Sequence, residues 1–127
     1  MDLGLEGAVC VVTGSSSGIG FETVRMLAEE GARVVVCGRY GKRTEKARDQ
    51  AGAELAIALD LSDPTAPGEL IRTVENELGQ VDVLVNNVGV AYQIAFDKLS
   101  EEHWSSIWNL NVMSYVRAIQ AVLPGMR

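Results

Sequence analysis

The chain has 127 residues, 47% of them hydrophobic and 22% charged, which describes an ordinary globular protein able to bury a core and excludes a disordered one. Its formal net charge of −6 at pH 7 excludes a basic surface for nucleic acid or an anionic membrane. No apolar stretch approaches the roughly 18 residues of a membrane span and no basic, then apolar leader opens the chain, so the expectation is a soluble, cytoplasmic protein.

The first apolar run, Ala8 to Val12, has the nearly unbroken hydrophobicity of a strand buried on both faces. It ends in Thr13, Gly14 and three serines. A helix is expected from about Gly18, with Gly20, Thr23, Val24, Leu27 and Ala28 on one stripe and Gly31 as its stop. Val34 to Cys37 repeats the buried-strand pattern, and Gly38 to Arg43 forms a polar, basic turn into a charged helix ending near Ala51. Cys10 and Cys37 stand inside these apolar runs at a spacing that matches neither a metal site nor a redox pair, so both are expected in the core and no metal is expected.

Leu55 to Leu59 reads as the third strand. Asp63 and Pro64 have the character of a helix cap and first helical position, with regular helix expected from Glu69 to Leu78 and Gly79 closing it. Val81 to Val85 is the fourth strand and runs into Asn86, Asn87, Val88 and Gly89. After a loop through Tyr92 and Phe96, Ser100 with Glu101 and Glu102 suits a helix N-terminus. That last helix is expected to reach Leu123, stopped by Pro124 and Gly125, with the lone His103 on its surface.

Strands and helices in strict alternation, with no linker or repeat, point to one α/β domain over residues 1–127: a Rossmann-like, doubly wound parallel sheet. Right-handed crossovers give the strand order 3-2-1-4 and a switch point between strands one and four, where ligands bind beyond the strand ends. The glycine-rich turn after the first strand and the Asn-Asn-Val-Gly segment after the fourth converge there. Gly14, Gly18 and Gly20 allow a tight turn and close approach of a phosphate to the free amides of the helix that follows. A Walker loop is excluded, since Ile19 and Gly20 follow Gly18 where lysine and Ser/Thr would stand.

Thr13-Gly14-Ser15-Ser16-Ser17-Gly18-Ile19-Gly20, spaced Gly-x3-Gly-x-Gly, resembles the glycine motif of the short-chain dehydrogenase/reductase family. Three further matches follow in the family's order. Asp60, with Leu61 after it, resembles the acidic residue that meets the adenine ring. Asn86-Asn87-Val88-Gly89 resembles the family's Asn-Asn-Ala-Gly segment, whose first asparagine braces the central strands and whose following residues border the cofactor; Val88 departs from the usual alanine. Trp104 followed by Asn111 is similar to the helix-four pattern in which the asparagine belongs to the catalytic set and holds a water. The resemblance covers essentially the whole chain and implies hydride transfer between a nicotinamide and a carbonyl or alcohol. Gly14, Ser16, Ser17, Gly18, Ile19, Gly20, Arg39, Asp60, Leu61, Asn87, Val88 and Gly89 are then the cofactor-binding residues and Asn111 a catalytic one.

At the end of the second strand an NAD-preferring site places an acidic residue on the ribose 2′-hydroxyl. Gly38 and Arg39 stand there instead, and a guanidinium can grip a 2′-phosphate, so NADP(H) is expected over NAD(H). The family's tyrosine and lysine, four residues apart, have no counterpart: Thr44 follows Tyr40 at that distance, Phe96 follows Tyr92 and Ile119 follows Tyr115. The resemblance therefore implies a sheet truncated after its fourth strand and helix, without the serine and the tyrosine-lysine pair. In the family a fifth strand covers Val81 to Val85, and Trp104, Ile107, Trp108, Tyr115 and Ile119 pack against partner subunits, so self-association is expected. Two functions remain open, the cofactor-binding half of an enzyme and a non-catalytic nucleotide-binding or interaction module.

Overall fold

β-Branched residues crowd an adjacent helical turn but fit a pleated surface, and the apolar runs of this chain, three of them valine-rich, become its strands. In the structure, a computed structural model that describes residues 2–127, these are Val9–Val12 (β1), Arg33–Gly38 (β2), Leu55–Ala58 (β3) and Val83–Val85 (β4). They form one parallel sheet of order β3-β2-β1-β4, as the crossover rule requires. Helices Gly18–Glu29 (α1), Gly41–Ala51 (α2) and Ala66–Leu78 (α3) connect the strands.

Alternate strand residues point to opposite faces, so the sheet carries two cores. Val9, Val11, Val35 and Cys37 pack with Leu70, Ile71 and Val74 of α3, while Cys10, Val12, Val34 and Val36 pack with Val24 of α1 and Ala47 and Ala51 of α2. The two thiols thus lie on opposite faces, both buried and free. Burial pushes the Cys37 thiol up to about 12, and burial together with the Asp82 charge raises that of Cys10, which makes both poor nucleophiles.

Strand ends shift by a residue or so, and larger differences from the sequence reading have identifiable reasons. Val81 is buried but lies outside β4, because the Asp82 carboxylate takes the Val9 N–H at 2.9 Å in place of a ladder carbonyl. Asp63 does not cap the third helix. Its Oδ1 instead accepts the Thr65 N–H and hydroxyl, both at 2.9 Å, and α3 starts at Ala66, with Pro67 in the first turn where a missing N–H costs nothing.

The last expected helix is two helices, Glu101–Trp108 (α4) and Ser114–Met126 (α5), joined by a π-helical turn over Asn109–Met113. Pro124 does not stop α5. It lies in the final turn, where it removes one hydrogen bond close to an end that would fray anyway. Ser100 caps α4 as expected, but His103 is half-buried and completes the cap: Ser100 Oγ accepts the His103 N–H at 3.2 Å and His103 Nδ1 accepts the Ser100 N–H at 3.0 Å. Among the described residues no helix is long and apolar enough to cross a membrane, and no group of three His, Cys, Asp or Glu side chains could hold a metal ion.

Candidate functional site

At the carboxyl ends of β1, β2 and β4 the backbone leaves the ladder and its polar groups need new partners. Two hydroxyls supply them. Thr13 Oγ1 accepts the N–H groups of Asn87 and Val88 at 3.0 and 3.2 Å, which ties the loop after β1 to the segment after β4. Ser15, fully buried, donates from Oγ to the Val12 carbonyl at 2.6 Å and accepts the Cys37 N–H at 2.9 Å, which ties the same loop to β2. Neither residue was singled out from the sequence; the available signal was a small hydroxyl directly after a strand too apolar to be anything but buried.

Gly14 and Gly20 allow these segments to interlock. A Cβ on Gly14, whose φ is +63°, would stand 2.8 Å from Val88 Cα, and one on Gly20 would stand 2.5 Å from Asn87 Nδ2. Asn87 Nδ2 donates to the Gly14 carbonyl at 3.0 Å across this contact. Helix α1 then begins at Gly18 with Ser17 as an extended N-cap that makes no side-chain cap bond, and no acidic residue stands in the first turn. The first turn of α1 thus offers its amides and positive dipole end neither a side-chain cap nor an acidic side chain of its own, the arrangement that suits an external anion. Ile19 beside them is exposed, and Ser16 packs against the end of β2, where a Cβ on Gly38 would come within 2.9 Å of the Ser16 Cβ.

The turn thus borders a cleft of about 80 Å³ with an apolar floor of Leu59, Leu61, Val88 and Leu110, flanked by Gly14 and Gly38. Leu61 is buried and serves the core as well as the floor. Arg39 and Asp60 supply the charge at the rim, with Arg39 Nε 3.8 Å from Asp60 Oδ2. Asp60 Oδ1 accepts the Ser62 hydroxyl at 2.7 Å and the Ser62 N–H at 3.0 Å; these bonds, helped by the Arg39 charge, hold its carboxyl below the usual carboxylate range.

On the far side, Asn111 lies in the π-helical turn and spends its carboxamide on Val90, donating from Nδ2 to the Val90 carbonyl at 2.7 Å and accepting the Val90 N–H at 2.8 Å. It thereby holds the strand of backbone that includes Gly89. Tyr115, which the sequence offered as a tyrosine without a lysine partner and as part of a subunit-packing surface, donates its hydroxyl to the Val88 carbonyl at 2.7 Å. Asn86 Oδ1 is buried with no hydrogen-bond partner among the described residues. The neighbouring Asn109 bonds the Ser62 carbonyl at 2.7 Å and accepts from Arg117 at 2.7 Å, linking the π-helical turn to the loop that carries Asp60.

All the residues singled out from the sequence therefore lie around one end of the sheet, from the α1 N-terminus through the cleft to Asn111. A family model described as short chain dehydrogenase matches residues 8–127. The chain is 39% identical over 126 residues to an uncharacterized oxidoreductase of Staphylococcus saprophyticus, covering 97% of this chain and 51% of that protein. It is 35% identical over 125 residues to a 3-oxoacyl-[acyl-carrier-protein] reductase of Vibrio cholerae, covering 98% and 51%. Among solved structures, L-sorbose reductase of Gluconobacter frateurii in complex with NADPH and L-sorbose superposes with a TM-score of 0.92 at 34% identity over 99% of this chain and 50% of the other. An NADPH-bound short chain oxidoreductase of Pseudomonas aeruginosa with an atypical catalytic center gives 0.86 at 37% identity, covering 94% and 49%. The chain spans about half the length of the relatives it matches.

Proposed function

The chain belongs to the short-chain dehydrogenase family, and from that premise we propose that it is the cofactor-binding part of an NADP(H)-dependent oxidoreductase acting on a carbonyl or alcohol. The observation that carries this reading is the interlock of Gly14 and Gly20 with Asn87 and Val88 beside the open α1 N-terminus. A Cβ at either glycine would run into Val88 or Asn87 and push the two segments apart beside that N-terminus, where the pyrophosphate is proposed to lie.

In this reading Gly14, Ser16, Ser17, Gly18, Ile19 and Gly20 hold the pyrophosphate through backbone amides and hydroxyls, with the positive end of the α1 dipole compensating its negative charge. Leu61 and Asp60 border the adenine, Arg39 takes the ribose 2′-phosphate, and Asn87, Val88 and Gly89 border the nicotinamide end. The cofactor supplies the hydride chemistry when bound. Asn111 acts chiefly as a positioning residue, because its carboxamide clamps Val90 and sets the course of the Gly89 backbone.

A general acid for the carbonyl oxygen is a separate requirement. The sequence has no Tyr-x-x-x-Lys pair, and the Tyr115 hydroxyl is engaged by the Val88 carbonyl. The 127 residues alone are therefore proposed to bind nucleotide without turnover. Exposed Trp104, Trp108, Val116, Ile119 and Leu123 on α4 and α5 support self-association of the chain.

Fluorescence titration with NADPH and NADH tests the cofactor assignment. The expected result is tighter NADPH binding, reversed in order by Arg39→Asp, since a carboxylate there accepts a 2′-hydroxyl and repels a 2′-phosphate. Equal or tighter NADH binding by the unmodified chain defeats it.

A further inference from the structure

The two charged residues on the rim of the cleft are paired with each other. Asp60 cannot swing freely, because its Oδ1 is held by both the N–H and the hydroxyl of Ser62, at 3.0 and 2.7 Å. Its Oδ2 is left facing Arg39 Nε at 3.8 Å. The side chains are 67% and 48% exposed, so water competes with the pair and it yields readily to a stronger anion.

We propose that Asp60 is a specificity-determining residue that restrains the preference for a 2′-phosphorylated dinucleotide, by sharing the Arg39 guanidinium with the phosphate and by opposing its charge. The proposal rests on the nucleotide reading above and adds a second, opposing determinant to Arg39. A 2′-phosphate on Arg39 brings negative charge to a guanidinium that already faces a carboxylate, and like charges in one site oppose each other. NADH carries no charge at that position and is spared the repulsion. A contact from Asp60 to the adenine, by contrast, is available to both dinucleotides equally. The ratio of the two affinities therefore reports the charge on Asp60, whereas the individual affinities also report its contacts.

Asp60→Asn is nearly isosteric and retains an oxygen to accept from Ser62. Asp60→Ser removes the charge in a second way, should the amide disturb the loop. NADPH and NADH dissociation constants are measured by fluorescence titration for the unmodified chain and both variants, at low and at high ionic strength. The expected result is a rise in the NADPH-over-NADH affinity ratio of about threefold or more in both neutral variants at low salt, shrinking as salt screens the rim. A ratio that stays constant while both affinities change together overturns the inference and leaves the cofactor reading standing. A ratio that falls also overturns it, because Asp60 would then be orienting Arg39 for the phosphate. If the unmodified chain binds neither dinucleotide, the cofactor reading itself fails and the inference falls with it.

Discussion

Gly14 and Gly18 share a backbone conformation and differ in what surrounds them, so replacing each by alanine separates strain from crowding. Both have φ +63°, where an L side chain costs about 1–2 kcal/mol. Around Gly18 a new Cβ meets nothing within 4 Å. Around Gly14 it meets Val88 Cα at 2.8 Å, Val88 N at 3.1 Å and Val88 Cβ at 3.2 Å. Val88 cannot retreat without loss, since its N–H bonds Thr13 Oγ1 at 3.2 Å and its carbonyl accepts the Tyr115 hydroxyl at 2.7 Å. Forcing a carbon into such a packed contact adds about 1–3 kcal/mol. The entropy that alanine removes from the unfolded chain is common to both variants and cancels in the comparison. Gly18→Ala should therefore lose about 1–2 kcal/mol and Gly14→Ala about 2–5 kcal/mol. Urea unfolding followed by circular dichroism measures both; with a slope of about 1–3 kcal/mol per molar, the two midpoints should differ by roughly 1 M. Equal losses, or a larger loss for Gly18→Ala, would show that the two segments do not interlock as described.

Ser15→Ala leaves the Val12 carbonyl and the Cys37 N–H without their buried side-chain partner and should cost about 1–3 kcal/mol in the same unfolding assay; a change within about 0.5 kcal/mol, the scale of a neutral surface substitution, would exclude the stitching role. Asp60 and Asp63 both have carboxyls lowered in the folded chain by their bonds to Ser62 and Thr65, so the stability they contribute is present above the ordinary aspartate value of about 3.9 and is lost as pH falls through their lower folded values. Asp63→Asn should accordingly reduce the loss of unfolding midpoint as pH falls below about 4, and an unchanged acid slope would refute that linkage. NADPH oxidation with a panel of aldehydes, ketones and quinones should give only background rates for the purified chain, because general acid catalysis is typically worth about 10² to 10⁴-fold and the chain offers no tyrosine-lysine pair; saturable turnover would reveal another proton donor. Sedimentation should find assemblies larger than a monomer, and a stable monomer at high concentration would refute the pairing of the exposed α4 and α5 surface.

What was legible in the sequence was whatever a repeating pattern or a topological rule determines. The buried valine runs mark β1 and β2, because a strand covered on both faces is apolar at nearly every position, the shorter apolar runs at Leu55 and Val83 mark β3 and β4, and handedness then settles their order. Gly14 and Gly20 were legible as residues of a tight strand-to-helix turn, but their close approach to Val88 and Asn87 was not, since the sequence offered only a phosphate as the group that comes near. Two of the departures, at Val81 and in the last helix, share a physical origin: side chains that satisfy backbone groups far away in sequence leave no periodic trace. Asp82 replaces a ladder bond of β1 across 73 positions, Asn111 clamps Val90 across 21, and Asn109 reaches Ser62 across 47. The last two fall within the five residues of the π-helical turn. An uninterrupted α-helix was the natural reading of Ser100 to Leu123, since its apolar spacing is helical throughout. The turn instead carries two asparagines with both ends of their carboxamides engaged, Asn111 by Val90 and Asn109 by Ser62 outside the helix and Arg117 of α5. A widened turn of this kind is a common device at functional sites, where helical regularity gives way to placement of particular groups. The π-helical turn, where the periodic reading fails, is thus the place where the helix is joined to the cleft: its Leu110 lines the cleft, Asn109 holds the loop that carries Asp60, and Asn111 holds Val90 of the segment after β4.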